Sequence, residues 1–176
     1  MENSDKTIGV IVGRFQVSSL HKGHINLFEQ TAEKFDYIFV VLGLTKNEEI
    51  NERNMYSYKY RFHMIQDCFT ENEFVKNKII NITKIKDVGD PEFWSQQLDI
   101  IIKEFTNKLG FQEQNIFMTG SRDSFLKTYS GSFTQCYIES IHNISGTETR
   151  AYENYKKTLK KDETPISFEE FKKSFI

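Results

Sequence analysis

The chain has 176 residues and a formal net charge of −2, with 38% hydrophobic and 14% aromatic residues. This length and composition predict one folded domain with a proper core and argue against a disordered chain. The near-neutral charge provides no overall positive field for nucleic acid or for an acidic membrane, so any anion site must be local. We therefore expect neither nucleic acid nor a membrane as a partner.

The N-terminus, MENSDKTIG, lacks the basic start and apolar stretch of a signal peptide, and no apolar run reaches membrane-spanning length. These features predict a cytoplasmic protein. The two cysteines, Cys68 and Cys136, lie far apart and have no C-x-x-C partner. Neither a disulfide framework nor a thiolate zinc site is therefore predicted.

Apolar runs of strand length alternate along the chain with stretches of helical periodicity. In chain order these patterns predict a strand at 8–13, a helix at 22–35, a strand at 37–43, a helix near 57–69, a strand at 78–85, a helix at 91–109, strands at 115–119 and 134–138, and two helices after 144. Asp90-Pro91 is typical of a helix start, and Gly110 can end that helix in the left-handed conformation. Ser167 and Glu170 have the spacing of a capping box for the last helix.

Strands separated by helices of this length imply right-handed crossovers. The sequence therefore predicts a Rossmann-like, doubly wound α/β fold, with a mainly parallel sheet and helices on both faces. We expect a single domain over residues 1–176, with a motif core at about 8–150 and C-terminal helices at about 147–176. Ligands of such sheets bind beyond the carboxyl ends of the strands, just after Gly13, Gly43, Gly89 and Gly120.

The segment GRFQVSSLHKGH, from Gly13 to His24, joins the first strand to the first helix. His21 and His24 are three residues apart and can project from one face of the first helical turn. The free amides and the dipole at that helix start favour an anion, and Gly23 lets a substrate approach the backbone. Two histidines at this spacing also occur by chance on helix surfaces, and no third ligand stands beside them, so no protein-held metal is predicted.

The same segment resembles the GRFQ…HxGH block of the HxGH nucleotidyltransferase superfamily, and in particular its nicotinamide mononucleotide adenylyltransferase branch of the archaeal and Nudix-fused type. Three further blocks resemble that branch in the same order. They are NMYSYKYR at 54–61, with Met55 for the usual proline and Ser57 for threonine; GSRDS at 120–124, with Ser121 for histidine and Arg122 near the lysine; and ISGTETR at 144–150. The Nudix signature is absent from this sequence, so hydrolysis of ADP-ribose is not expected.

The resemblance implies that the 5′-phosphate of nicotinamide mononucleotide attacks the α-phosphorus of ATP, giving NAD and pyrophosphate, with no covalent intermediate. Magnesium is expected to arrive with ATP and to bridge its phosphates. The resemblance implies catalytic roles for His21, His24 and Arg150. It implies ATP contacts from Gly13, Arg14, Phe15, Gly23, Gly120, Arg122, Asp123, Ser145, Gly146 and Thr147. It implies acceptor contacts from Gln16, Asn54, Arg61, Asp90 and Trp94.

Trp94, the single tryptophan, follows Asp90-Pro91, where the related enzymes place a tryptophan against the nicotinamide ring. A tryptophan on a helix with Leu98 and Ile101 can equally be a core residue. His63 and His142 have no motif partner and are expected to be structural. The Lys-rich stretch at 156–161 is expected to be a solvated helix face.

Two other functions stay open. One is an adenylyl- or cytidylyltransferase of the same superfamily with another acceptor, such as nicotinate mononucleotide or pantetheine phosphate. The other is a nucleotide-sensing regulator without catalysis; the absence of a basic arm or helix-turn-helix extension disfavours a DNA-binding one. The sequence leaves the oligomeric state open, a homo-oligomer included.

Overall fold

The computed structural model describes residues 3–140 and 146–173. Five strands alternate with helices in the predicted order. The strands are β1 (Ile8–Gly13), β2 (Tyr37–Leu44), β3 (Ile79–Lys86), β4 (Ile116–Gly120) and β5 (Thr134–Tyr137). The helices are α1 (Lys22–Lys34), α2 (Tyr58–Glu71), α3 (Pro91–Lys108), α4 (Gly146–Thr158) and α5 (Phe168–Lys173).

All strands run parallel, in the order β3-β2-β1-β4-β5. β1 is central and pairs with β2 on one side and with β4 on the other, so strand order reverses between β1 and β4. In an open parallel sheet this reversal opens a crevice at the carboxyl ends of the two strands. The prediction of a Rossmann-like, doubly wound fold is confirmed.

The core has one apolar cluster on each face of the sheet. Alternate β1 side chains face opposite ways: Val10 and Val12 pack with Leu98 and Ile102 of α3, whereas Ile11 packs with Phe28 of α1. β1 is buried on both faces, which explains its continuous apolar sequence. The sheet thus presents its carboxyl edge as a rigid platform for the loops that follow.

The helix-terminus signals act as their residue types predict. Asp90 caps α3 by accepting a hydrogen bond from the amide of Phe93 at 3.0 Å. Gly110 has φ of 81°, the left-handed conformation that ends the helix. Ser167 and Glu170 exchange the reciprocal bonds of a capping box at α5.

The structure also differs from the predictions in detail. α2 continues to Glu71, two residues beyond the predicted end, and β5 ends at Tyr137, although the amide of Ile138 still donates to Gly120 at 2.8 Å. Two short 3-10 turns, at 113–115 and 125–127, have no counterpart in the sequence patterns. Within the described residues, no helix is both long and apolar enough to cross a membrane.

Candidate functional site

The turn after β1 is shaped by Phe15, which adopts φ of 47°. Such a conformation is costly for a residue with a bulky side chain and persists only where packing holds it. The Phe15 ring is buried and packs against His24 and Phe28, with ring centroids 5.1 and 5.7 Å apart. A Cβ on Gly13 would lie 2.7 Å from that ring, so the turn requires glycine there. Phe15 therefore supports the site from beneath.

The two histidines stack on each other at the start of α1. Their ring centroids are 3.6 Å apart and the planes differ by 18°. His21 is the N-cap residue, and its Nδ1 accepts a hydrogen bond from the amide of His24 at 3.3 Å. Histidine is outside the usual set of N-cap residues, and a broken local rule of this kind is expected at functional sites.

Two ring nitrogens of this pair, His21 Nε2 and His24 Nδ1, are buried without a hydrogen-bond partner in the described part of the chain. Because His21 Nδ1 is an acceptor, the neutral ring carries its proton on Nε2, which is thus an unused donor. Burial lowers the pKa of both histidines, and burial together with the charge of His21 lowers the pKa of His24 to about 3. Both imidazoles are therefore neutral at pH 7, with hydrogen-bonding capacity left for a ligand.

Arg14 and Arg150, two arginines of the predicted site, are close enough to interact electrostatically. Arg150 Nη1 donates to the carbonyl of Gln16 at 3.2 Å, and Nη2 donates to Thr147 Oγ1 at 3.2 Å. Partial burial and the charge of Arg14 lower the pKa of Arg150. Arg14 lies 3.9 Å from Asp87, and both side chains are about half exposed, so this ion pair is weak. The two guanidinium groups thus keep their charge available for an anion.

A small cavity of about 180 Å³ opens beside the histidine rings. We call it the histidine cavity. It lies between the start of α1 and the carboxyl end of β4, and its walls include His21, Gly23, His24 and Gly120. A Cβ on Gly120 would lie 2.6 Å from Ser124 Oγ, so glycine keeps this wall close-packed.

A larger cavity of about 610 Å³ lies at the carboxyl ends of β1, β2 and β3. We call it the Trp94 cavity. Its lining includes Gly13, Arg14, Asp90 and Trp94. Trp94 is half-buried, packs against the apolar cluster on its face of the sheet, and meets Phe125 with ring centroids 6.3 Å apart. Trp94 is thus both a support of the core and a wall of the cavity.

The two cavities share Val12 and Ser124 as lining residues. They therefore adjoin at the point where strand order reverses. The structure brings His21, His24 and Gly23 to one cavity and Arg14 and Trp94 to the other. Two ligands, one in each cavity, could therefore come into contact where the cavities adjoin.

Three residues predicted to contact the acceptor lie together elsewhere. Gln16, Asn54 and Arg61 line a separate pocket of about 100 Å³. Gln16 is buried and exchanges two hydrogen bonds with the backbone of Tyr56, at 2.9 and 3.1 Å. Arg61 is buried too and donates to the carbonyls of Arg14 and Gly43, at 2.6 and 2.9 Å. Gln16 and Arg61 thereby brace the turn that carries Arg14, and the predicted acceptor contacts stay predictions.

Two further predicted contacts, Arg122 and Asp123, line another cavity of about 420 Å³. The Arg122 guanidinium lies 5.1 Å from the centre of the Tyr137 ring, at the carboxyl end of β5. Gly146 is the first residue of α4, and Thr147 follows it. Ser145 and His142 lie outside the described residues.

A protein-held metal site is not evident in the described parts of the chain, where no group of three or more histidine, cysteine or acidic side chains could hold an ion.

The sequence patterns did not indicate Ser18, Tyr56 and Glu153. Glu153 accepts hydrogen bonds from Ser18 Oγ and, at 3.2 Å, from Tyr56 Oη. Ser18 is 135 residues from Glu153, so no local pattern could have indicated this contact.

Comparison with known proteins places this site in a family. Residues 10–152 match the family described as cytidylyltransferase-like, a span that contains the histidine pair, the Trp94 cavity and Arg150. The chain belongs to the cytidylyltransferase-like family. The match includes the β1–α1 turn, the histidine pair and the first part of α4, with Arg150.

The curated relatives of this cytidylyltransferase-like chain include adenylyltransferases. It is 30% identical, over 105 residues, to phosphopantetheine adenylyltransferase of Clostridium perfringens strain SM101. The aligned part covers 60% of this chain and 57% of the relative, so the chain spans little more than half of that protein's length.

Solved structures share the fold of this family member. A bifunctional NMN adenylyltransferase/ADP ribose pyrophosphatase of Francisella tularensis, complexed with AMP and a manganese ion, matches with a TM-score of 0.69 at 19% identity, over 97% of this chain and 49% of that one. A NadR protein in complex with NAD and AMP-PNP matches with a TM-score of 0.58 at 16% identity, over 88% and 45%. At these identities the likeness concerns the fold alone.

Proposed function

We propose that this chain transfers AMP from ATP to the 5′-phosphate of nicotinamide mononucleotide, forming NAD and pyrophosphate. The observation that carries the proposal is the pair of adjoining cavities. One holds two neutral histidines with unused ring nitrogens, and the other holds Arg14 beside an aromatic wall. Transfer of AMP between two substrates requires their reacting atoms to be held next to each other, and adjoining cavities allow this.

The proposed chemistry is an in-line displacement at the α-phosphorus of ATP. The oxygen of the mononucleotide phosphate forms the new bond to phosphorus, while the bond to the bridging oxygen breaks and pyrophosphate leaves with both electrons. Such transfers depend on positioning and on stabilising the developing negative charge. His21 and His24 supply neutral donors at the α-phosphate, and Arg150, with Ser145 and Thr147, holds the β- and γ-phosphates.

Magnesium enters this scheme as part of the substrate, bound to the ATP phosphates, whose charge it partly neutralises. The side chains assigned to the phosphates in this proposal are imidazole, guanidinium and hydroxyl groups, and within the described residues no cluster of three or more histidine, cysteine or acidic side chains could hold an ion. Every protein contact in the proposed reaction is therefore a hydrogen bond or a cationic side chain.

The choice of acceptor rests on the Trp94 cavity. Trp94 and Phe125 provide flat apolar surfaces, to which a pyridine ring can bind by stacking or by an edge contact. Pantetheine phosphate is the second candidate, because the curated relative at 30% identity is a phosphopantetheine adenylyltransferase. Its flexible chain offers no aromatic ring to this wall. Nicotinate mononucleotide and a cytidylyl transfer are weaker candidates, and the unused histidine nitrogens favour catalysis over nucleotide sensing alone.

The proposal is tested by incubating the purified protein with magnesium and ATP and, in separate reactions, with each acceptor. Chromatography separates the products. We expect NAD and pyrophosphate with nicotinamide mononucleotide, and no hydrolysis of ADP-ribose. Conversion of pantetheine phosphate without formation of NAD would replace the first acceptor with the second.

A further inference from the structure

α4 carries Arg150 and touches the turn after β1 through polar side chains. The Glu153 carboxylate accepts from Ser18 Oγ and from Tyr56 Oη, the latter at 3.2 Å. Arg150 donates to the carbonyl of Gln16 at 3.2 Å. Glu153 is three residues after Arg150, so both project from the same side of the helix. We call Arg150 and Glu153 the polar stripe of α4.

The aromatic contacts of α4 serve a different purpose. Tyr152 meets Phe168 at 5.2 Å between ring centroids, and Tyr155 meets Phe171 at 5.1 Å, so these rings join α4 to α5. They fix the helical pair but do not fix where that pair lies over the sheet. The polar stripe is a direct contact between α4 and the β1–α1 turn.

Glu153 contacts two segments at once. Ser18 belongs to the turn that leads to His21, and its carbonyl accepts from Tyr60 Oη at 2.7 Å. Tyr56 lies just before α2 and stacks on Tyr60, with ring centroids 4.8 Å apart. Burial and the repulsion from Arg14 lower the pKa of Arg150, and the charge of Glu153 partly offsets them, so this carboxylate interacts with the guanidinium group. The Glu153 carboxylate therefore links α4, the β1–α1 turn and the start of α2.

We propose that Glu153 is a positioning residue that holds α4 on the β1–α1 turn, so that Arg150 faces the anion beside the histidines. The identity of that anion as the β- and γ-phosphates of ATP rests on the proposed function. Glu153 itself contacts no phosphate in this account, since both of its oxygens are occupied by hydroxyl groups. Its loss lowers the fraction of molecules in which Arg150 is in place, and apparent affinity falls by that fraction.

The test compares Glu153→Ala, Glu153→Gln and the matched control Asn154→Ala, an exposed neighbour on the same helix. Hydrogen exchange of the α4 amides is measured in the free protein, and binding of inorganic pyrophosphate is measured by calorimetry. In Glu153→Ala we expect exchange in α4 to be at least about tenfold faster, with β1 and β4 unchanged, and pyrophosphate to bind about tenfold more weakly. The Gln variant retains one acceptor oxygen and should lie between, whereas Asn154→Ala should match the unmodified protein.

The Michaelis constant for ATP should rise about tenfold in Glu153→Ala, with a smaller change in turnover. The reason is that fewer molecules have Arg150 in the position that binds ATP. Unchanged exchange and unchanged pyrophosphate binding in this variant would overturn the inference. If no NAD forms but both physical measurements change as expected, the proposed function fails and the positioning role stands. If the unmodified protein does not bind pyrophosphate, both fail.

Discussion

At the scale of single residues, His24 combines two properties that a stabiliser of developing charge needs. Its ring is neutral and mostly buried, and one of its nitrogens has no partner in the described part of the chain. A buried donor aimed at charge that builds during the reaction contributes mainly to turnover. His63, by contrast, is exposed on α2.

We expect His24→Ala to lower the turnover number about a hundredfold or more, with a smaller change in the Michaelis constants. Steady-state kinetics of adenylyl transfer measure this effect. His63→Ala is the control and should stay near the unmodified rate. Equal losses in the two variants would refute the role of His24, provided circular dichroism shows both to be folded.

The same histidine predicts how stability depends on pH. The pKa of His24 is about 3 in the folded protein and 6.5 is its ordinary value. Below pH 6.5 the unfolded chain takes up a proton that the folded chain does not. Stability is therefore fully present above pH 6.5 and is lost progressively as pH falls towards 3, by up to about 1.4 kcal/mol per pH unit.

Urea unfolding at pH 7 and pH 5 tests this dependence. Between these values the unmodified protein should lose about 1 to 2 kcal/mol more of its free energy of unfolding than His24→Ala loses. His63→Ala, which removes an exposed imidazole of α2, is the control. Parallel losses in all three proteins would show that His24 does not titrate below its ordinary range.

In the proposed function, Trp94 contributes to recognition of the acceptor. If its indole stacks on the pyridine ring, Trp94→Ala should raise the Michaelis constant for nicotinamide mononucleotide about tenfold, since stacking contributes roughly 1 kcal/mol or more. The constant for ATP should hardly change. Trp94→Phe, which keeps a flat ring, is the matched control. An unaltered constant in a folded Trp94→Ala protein would return Trp94 to a core role.

Acidic residues near Trp94 predict a preference for the amide mononucleotide over the acid. Asp90 lines the Trp94 cavity, whereas Glu92 is exposed and is not one of its lining residues. A carboxylate on a ring placed beside Asp90 and away from Arg14 would meet like charge, and a penalty of about 1.4 kcal/mol corresponds to a tenfold difference in catalytic efficiency. Equal efficiency with nicotinate mononucleotide would contradict this placement of the ring.

At the scale of elements, α3 is joined to the loop before β5 by a buried network. Asp99 accepts from Tyr129 Oη at 2.5 Å and from the amide and hydroxyl of Ser132 at 2.6 and 2.8 Å. Desolvation and the Asp99 carboxylate raise the pKa of Tyr129 above its ordinary value. Ser95, next to Trp94, accepts from the amide of Ser130 at 3.1 Å. The network thus fixes the helix that carries Trp94.

Gly131 lies at the centre of this network. A Cβ there would lie 2.3 Å from Tyr129 Oη and 2.4 Å from Asp99 Oδ1, which leaves no room for a methyl group. We expect Gly131→Ala to lower the free energy of unfolding by about 2 to 3 kcal/mol, through overpacking and disrupted hydrogen bonds. Chemical denaturation measures the change. Gly43→Ala, where the nearest atom would be 3.5 Å away, is the control, and equal effects would contradict the assigned crowding.

Most elements could be predicted from sequence because their signals are local. β1 and β2 are buried on both faces and have continuous apolar sequences. The start of α3 is indicated by Asp90-Pro91. The Asp99–Tyr129 pair could not be predicted, because its partners are 30 residues apart and neither has a marked local pattern. The site shows the same division. The spacing of the motif identified the histidines. The sequence could not show that the Arg61 guanidinium donates to the backbone carbonyls of Arg14 and Gly43, because this depends on packing.

At the scale of the whole molecule, the sheet order explains why two cavities adjoin. β1 is the strand at which the order reverses, and Val12 near its end lines both cavities. Loops from both halves of the sheet therefore converge on one crevice. α4 then adds Arg150 from the C-terminal side. In the proposed function, this arrangement joins the AMP of ATP to nicotinamide mononucleotide.

The most direct test is a competition between acceptors. Nicotinamide mononucleotide and pantetheine phosphate are supplied at equal concentration with limiting magnesium-ATP, and both adenylylated products are quantified by chromatography. Their early ratio equals the ratio of the two catalytic efficiencies. We expect NAD to predominate by at least about tenfold, a difference of roughly 1.4 kcal/mol in transition-state stabilisation. Predominance of the adenylylated pantetheine, or the absence of both products, would contradict it.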